Sequence, residues 1–336
     1  MRLTRADIER TRASPGASVV LFLTDKCPVE CAHCSVASLR TGSGPPSARA
    51  LDPILRTVAG RPEVETVAIS GGEPFAEPEA LWHAVRALDD AGKNVVVHTS
   101  GYWGAEPVPE RIERVLRRCS CVVLSTDTHH AAAVPAVRFR AAARAVTALG
   151  TSLVVQTLDG EKAMAERTLA RALGPDWAAS AEVTSVPPLP YGRGAQVFPQ
   201  VFPQVFPQTR PGPFEGRCRL VGTPVVRYDG TVTACCNERV IMGAGPGRLR
   251  RRFVTGDGLA AALDGLRADP LLWAVGELGP AALGPAESGP AESGPAESGP
   301  AESGDGICGL CWQLLREPSN EVIEVALGVL RDKSAR

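Results

Sequence analysis

No run of 18 apolar residues occurs anywhere in the 336-residue chain, so no segment is long enough to cross a bilayer as a helix. A charge imbalance is missing too. With 36 Lys and Arg against 37 Asp and Glu, the formal net charge is −1, and whole-chain electrostatics gives no case for nucleic acid or an anionic membrane as a partner. The first 18 residues carry Arg2, Arg5, Arg10 and Arg12 with Asp7 and Glu9 but no apolar core, so they do not form a secretion signal, and a cytoplasmic location is expected. What remains is an ordinary globular composition, 44% hydrophobic and 22% charged, at a length suited to one barrel-sized domain with an appendage. Against that background ten cysteines stand out. In a chain without a secretory signal they point to metal or redox chemistry rather than to disulfide stapling.

Three of them, Cys27, Cys31 and Cys34, form a C-x3-C-x2-C loop directly after the apolar run 18–23 (SVVLFL), which reads as a buried strand. Three thiolates in one short loop can hold three corners of a cubane iron–sulfur cluster and leave the fourth iron open to bind and activate a ligand. Structural zinc favours paired C-x2-C arms or closed Cys/His sets, which the C-x3-C arm does not match, although His33 could complete such a site. A second motif, SGGEP at 70–74, ends the strand-like run 66–69 (TVAI). Alone, it would be an ordinary turn.

Further strands are expected at 94–99, 121–125, 152–157 and 180–186. Helical apolar spacing alternates with them at 50–58, 78–91, 109–118, 135–149 and 162–173. Six such repeats imply an α/β fold with a parallel sheet and right-handed crossovers, and in barrels of this kind chemistry collects at strand C-terminal ends. Both motifs follow strands.

Two motifs in this order and context resemble the radical SAM superfamily. The resemblance implies a partial (β/α)6 TIM-like barrel over 18–195. It implies a [4Fe-4S] cluster on Cys27, Cys31 and Cys34 with S-adenosylmethionine on the open iron, and His33 in a slot usually held by an aromatic residue beside the cluster. Gly71, Gly72, Glu73 and Pro74 would receive the cofactor's methionine amino group, with Glu73 as acceptor. Reductive cleavage, fed by a donor such as ferredoxin or flavodoxin, would give a 5′-deoxyadenosyl radical. Ser125 and Asp127 would meet the ribose or substrate; His98, Thr99, Ser100 and Gln156 hold matching strand-end places. Each of these is equally a local cap, and His129 and His130 are equally substrate contacts or a solvated helix start.

A second cysteine region runs from Cys218 through YDGTVTACC (228–236), a hairpin turning at Asp229 and Gly230, to CGLC at 308–311. It resembles the SPASM region or its shortened twitch form. Five cysteines instead of seven imply one auxiliary cluster, on Cys218, Cys235, Cys308 and Cys311, as a small cysteine-rich twitch-like C-terminal region. Four thiolates from a hairpin and a C-x2-C turn are also a zinc-ribbon set. Neighbouring residues of an extended chain face opposite ways, so Cys235 is expected to ligate while Cys236 is packed or donates a hydrogen atom to a substrate radical. Cys119 and Cys121 read as core cysteines on one side. Arg248, Arg250, Arg251 and Arg252 read as a solvated face or a dock for an acidic peptide.

The expected divisions are an N-terminal extension 1–17, the barrel 18–195, a VFPQ-repeat linker 196–210, and the auxiliary region 211–336 with a GPAES-repeat loop at 279–304. The function expected is modification of a ribosomally made peptide or protein side chain by epimerisation, crosslinking or oxidation, although no stretch of about 80 residues is left over for a leader-peptide domain. Radical dehydrogenation or rearrangement of a small molecule is the second reading. A zinc-binding structural or interaction protein is the alternative of another class.

Overall fold

A computed structural model of the chain describes residues 2–199, 218, 220–283 and 306–334. Six parallel strands lie side by side in chain order: β1 (Ser18–Phe22), β2 (Thr66–Ser70), β3 (Asn94–Thr99), β4 (Cys121–Ser125), β5 (Ser152–Leu158) and β6 (Ala181–Val186). Helices Asp52–Ala59, Pro78–Asp90, Glu110–Leu116, Ala136–Ala148 and Lys162–Leu173 make the crossovers. The expected pattern of alternating elements is therefore observed, and the α/β partial barrel with it.

Strand periodicity explains how the sheet divides its two faces. Val19, Leu21, Val67, Ile69, Val95, Val97, Val122, Leu124, Leu153 and Val155 share one face and pack under the helices in the main core. Burying a side chain such as Ile69 or Leu81 there contributes about 2 kcal/mol. On the opposite face Val96, Cys121, Val123 and Val154 close around Leu3, so the N-terminal segment floors the barrel. Above that floor the inward positions Ser70, His98, Ser125, Gln156 and Thr184 are polar and only half-buried. The lumen is thus apolar below and polar above.

The expected N-terminal extension is helical over Arg5–Ala13. Thr4 and Asp7 form a reciprocal capping box, Leu3 N donates to Ser120 O at 3.1 Å, and Arg5 N donates to the Glu182 carboxylate at 3.0 Å. Too few apolar residues repeat in this helix for periodicity to reveal it; the T-x-x-D cap was the available signal.

The sheet does not stop at β1. β7 (Val221–Arg227) pairs parallel with it, placing Val225 beside Val20 and Arg227 beside Phe22; β8 (Thr231–Cys235) returns antiparallel, and β9 (Arg250–Arg252) adds an edge. The cysteine-rich region therefore extends the barrel sheet instead of standing apart. Arg250 donates to the Ala244 and Gly245 carbonyls and Arg251 to those of Arg248 and Arg250, so the arginine cluster ties its own turn together. Cys119 and Cys121 are both buried but on different sides, Cys119 in the helix-covered core and Cys121 in the lumen floor. Of the 196–210 segment, the described part is not a bare linker: residues Gly194–Val197 form a helical turn and the Phe198 ring packs 5.4 Å from that of His129. The GPAES repeats fall outside the described residues.

Candidate active site

Cys27 and Cys31 are buried and Cys34 is half-buried in the loop that leaves β1. Burial pushes the Cys27 and Cys31 thiols up to about 11, although backbone N–H groups of Val29 and Glu30 are aimed at the Cys27 sulfur. Such thiols stay protonated at neutral pH until a metal cation takes the proton's place, and the surrounding N–H dipoles then favour the thiolate. Soft sulfur donors in threes, dry and lined by N–H groups, fit an iron–sulfur cluster that keeps one iron open.

The SGGEP turn packs its backbone against the start of this loop. Gly72 N donates to Thr24 O at 2.6 Å and Glu73 N to Lys26 O at 2.8 Å. A Cβ on Gly71 (φ 141°) would lie 2.5 Å from Thr24 O, and one on Gly72 would lie 2.3 Å from Lys26 O, so only glycine permits this contact. Pro74 is buried and opens a short 3-10 turn. Glu73 is buried, and its carboxylate receives Thr99 Oγ1 (2.8 Å), Ser100 N (2.8 Å), Ser100 Oγ (2.5 Å) and Phe75 N (3.2 Å). Burial raises its pKa, and those donors oppose the rise without cancelling it. A carboxylate has about four acceptor positions; all are occupied by the protein. The carbonyls of the glycine turn are the other acceptors this motif has for an ammonium.

Asp127 follows the same logic beyond the end of β4. Its Oδ1 accepts His129 N and His130 N, capping the short helix Thr128–Ala133, while Oδ2 meets His130 Nδ1 at 2.5 Å and His33 Nε2 at 3.3 Å. Burial acts to raise this carboxyl, but the hydrogen bonds and charge of His130 and His33 outweigh it and leave it well below the usual carboxylate range. The group expected to touch ribose or substrate directly is thus committed to two histidines, and Asp127 acts through them. His33, expected beside the cluster, packs on His129 and His130 with ring centroids 4.8 Å away in both cases. The set His33, Asp127 and His130 has the composition of a metal site, with ligand atoms within 4.8 Å of one another; in this structure Asp127 holds it together by hydrogen bonds. Ser125 sits one register step from this group, paired with Gln156 on the lumen face.

Two contributors to the triad loop were not singled out from sequence. Arg193, beyond the Pro-rich turn that follows β6, reaches across to the carbonyls of Cys31 and Ser38. Arg227, at the end of β7, pairs with Asp25 at 2.8 Å, where Tyr228 also donates its hydroxyl at 2.7 Å. Glycines on both sides of Arg193 were the local hint to the first; the second comes from strand pairing that sequence patterning does not reveal.

Of the cysteines expected to form the auxiliary site, Cys235 and Cys311 are buried in the main core and Cys218 packs against it. Burial pushes the Cys235 and Cys311 thiols up; the charges of Cys236, Cys218 and Cys311 add to the effect on Cys235, and those of Cys218 and Cys308 to that on Cys311. Cys308 and Cys311 lie on one helix, Gly306–Arg316, instead of the expected turn, and their three-residue spacing puts them on one face of it. Because β8 is antiparallel, Cys235 lies opposite Val221 at the start of β7, whereas the triad loop leaves β1 beside Arg227 at its end. Seven residues of strand along β7, roughly 20 Å, separate Cys235 from the triad loop. A cavity of about 620 Å³ opens next to Cys218, lined by Val221, Pro224, Trp273 and Arg12; it lies at this end of the sheet and not at the triad.

The model of the radical SAM superfamily matches residues 21–146, from the end of β1 through both motifs into the helix Ala136–Ala148. This stretch belongs to the radical SAM superfamily. It is similar in fold to SuiB of Streptococcus suis bound to S-adenosylmethionine, at 14% identity and a TM-score of 0.52, covering 78% of this chain and 68% of that one. Looser likenesses are anSMEcpe with bound AdoMet and Cp18Cys peptide (12% identity, 75% and 80% covered, TM-score 0.48) and BtrN in complex with AdoMet and 2-DOIA (11%, 79% and 88%, 0.44). No curated protein matches the sequence. This radical SAM enzyme has, among the described residues, no helix long and apolar enough to cross a membrane.

Proposed function

We propose that this radical SAM enzyme carries one auxiliary iron–sulfur cluster on Cys218, Cys235, Cys308 and Cys311 and acts on a peptide or protein side chain held in the barrel lumen. What supports the reading is that Cys235 and Cys311 are buried in the helix-covered core with Cys218 against it, that Cys308 lies one helical turn from Cys311, and that the triad loop leaves the sheet at the other end of β7. The cluster on Cys27, Cys31 and Cys34 would supply an electron that splits S-adenosylmethionine and yields a hydrogen-abstracting 5′-deoxyadenosyl radical. The protein's part is to hold, aim and keep water away.

In this reading the Gly71–Gly72 turn offers carbonyls to the cofactor's ammonium, Glu73 fixes the turn, and Asp127 sets His33 and His130 beside it. Ser125, Gln156 and neutral His98 face the lumen as substrate contacts. Cys236 packs on the lumen side with Phe22, Val225 and Ile241, and Arg12 Nη2 lies 3.4 Å from its sulfur. Burial pushes this thiol up, so it remains an S–H and could return a hydrogen atom to a substrate radical; the thiyl left behind is restored by one electron from the external donor and one proton.

Anaerobic purification with iron and sulfide analysis tests the proposal. Roughly eight irons per chain support it, roughly four with one zinc would move the auxiliary site to a structural metal, and zinc alone would sink it. For substrate class, the enzyme is incubated in deuterated buffer with any short peptide encoded beside it. A one-deuterium gain indicates epimerisation, and a loss of two hydrogens indicates oxidation or crosslinking. An unchanged peptide, with 5′-deoxyadenosine formed, favours the small-molecule reading.

A further inference from the structure

The segment Tyr191–Gly192–Arg193–Gly194 leaves β6, the last strand of the barrel, and lies against the cluster loop that leaves the first. Arg193 makes the contact with both main chain and side chain. Its backbone N donates to Cys34 O at 3.0 Å, Nε and Nη2 donate together to Cys31 O at 3.1 and 2.9 Å, and Nη1 donates to Ser38 O at 2.8 Å. Two of those three residues are the thiolate donors themselves. A planar fork binds two carbonyls in one fixed geometry, which a lysine cannot reproduce.

The glycines on either side make the approach possible. A Cβ on Gly192 (φ 55°) would lie 2.6 Å from Cys34 O and 2.7 Å from Ser35 O. On Gly194 it would lie 2.3 Å from Leu189 O and 3.0 Å from His33 O. Glycine at both places lets this backbone come within hydrogen-bonding reach of the loop. The guanidinium is half-buried, all its partners are neutral carbonyls, and it makes no ion pair among the described residues.

We propose that Arg193 is a positioning residue of the catalytic cluster: its fork fixes the Cys31–Ser38 turn that presents two of the three sulfurs, and its charge, without an ion-pair partner among the described residues, raises the cluster's reduction potential. This rests on Cys27, Cys31 and Cys34 holding that cluster. The sign follows from charge alone, because reduction adds one negative charge and a neighbouring cation stabilises the reduced state more than the oxidised one.

The test uses reconstituted holoenzyme in its wild-type, Arg193→Gln and Arg193→Lys forms, with an EPR-monitored redox titration and the rate of iron loss to a chelator. Arg193→Gln is expected to lower the cluster's midpoint and to lose iron several-fold faster. Arg193→Lys keeps the charge without the fork, so its midpoint stays near wild type while iron loss is again faster. Should Arg193→Gln fail to retain a cluster, the Lys variant decides, since wild-type chelation kinetics there would overturn the positioning role. An Arg193→Gln enzyme with full iron content, wild-type midpoint and wild-type iron loss would overturn the whole inference. Absence of a cubane signal from the wild-type triad would instead overturn the cluster assignment, a separate failure.

Discussion

Cys235 and Cys236 are adjacent in sequence and belong to opposite sides of one sheet. Cys235 packs in the helix-covered core near Cys218 and Cys311, and Cys236 packs with Phe22 and Val225 on the lumen side. Removing one should therefore differ in kind from removing the other. Cys235→Ala is expected to drop bound iron from roughly eight to roughly four per chain, whereas Cys236→Ala keeps the full complement and still cleaves S-adenosylmethionine. Iron and sulfide analysis of the two variants side by side checks this; equal iron loss would show that both thiols ligate.

The contact between the glycine turn and the cluster loop predicts a sharper effect at the other centre. In Gly72→Ala the new methyl would meet Lys26 O at 2.3 Å, so the loop that positions Cys27 must move. Overpacking of this kind costs about 1–3 kcal/mol, and here it falls on the ligand loop. The expected outcome is loss of the triad's iron with the auxiliary iron retained, read by iron content and by the loss of 5′-deoxyadenosine formation in dithionite.

His98 gives the protein an acid-sensitive element. Burial, with a smaller push from the Arg12 guanidinium, holds its imidazole at about 4 instead of the ordinary 6.5. A base whose folded pKa lies below its unfolded value contributes stability that is fully present above pH 6.5 and lost as pH falls from there towards 4. The loss is at most about 3 kcal/mol, and less to the extent that lumen water reaches the ring. Denaturant midpoints at pH 7.5 and 5 should fall further apart in wild type than in His98→Leu; equal spacing would show that His98 does not drive the change.

Much of this architecture could be read from residues alone. Strand and helix alternation and the opposed facing of Cys235 and Cys236 follow from periods of 2.0 and 3.6 residues, which are local properties. What escaped was non-local. The parallel pairing of β7 with β1 joins residues about 200 apart in sequence, so the Asp25–Arg227 pair has no sequence signature. Glu73 looked like a free acceptor after a strand, and only the fold shows that protein donors fill it, whereas for Asp127 the local-cap reading is the one observed. Cys308 and Cys311 looked like a turn because C-x2-C is common in turns, yet Trp312 and Leu315 beside them are buried and carry the apolar face of a helix.

The full coordination of Glu73 leads to a prediction that separates its structural role from ligand recognition. Glu73→Gln replaces one acceptor oxygen by an amide N–H₂ that must face Ser100 N and Oγ or Thr99 Oγ1 and Phe75 N, so buried donors confront a donor. Leaving buried donors without an acceptor costs about 1–3 kcal/mol. The variant without cofactor should therefore melt below wild type. If the carbonyls of Gly71 and Gly72 receive the cofactor's ammonium, adding S-adenosylmethionine to the cluster-loaded variant should still raise its melting temperature by most of the wild-type increment. Loss of that increment in Glu73→Gln, with the cluster retained, would show that the carboxylate itself binds the ammonium and exchanges a protein donor to do so.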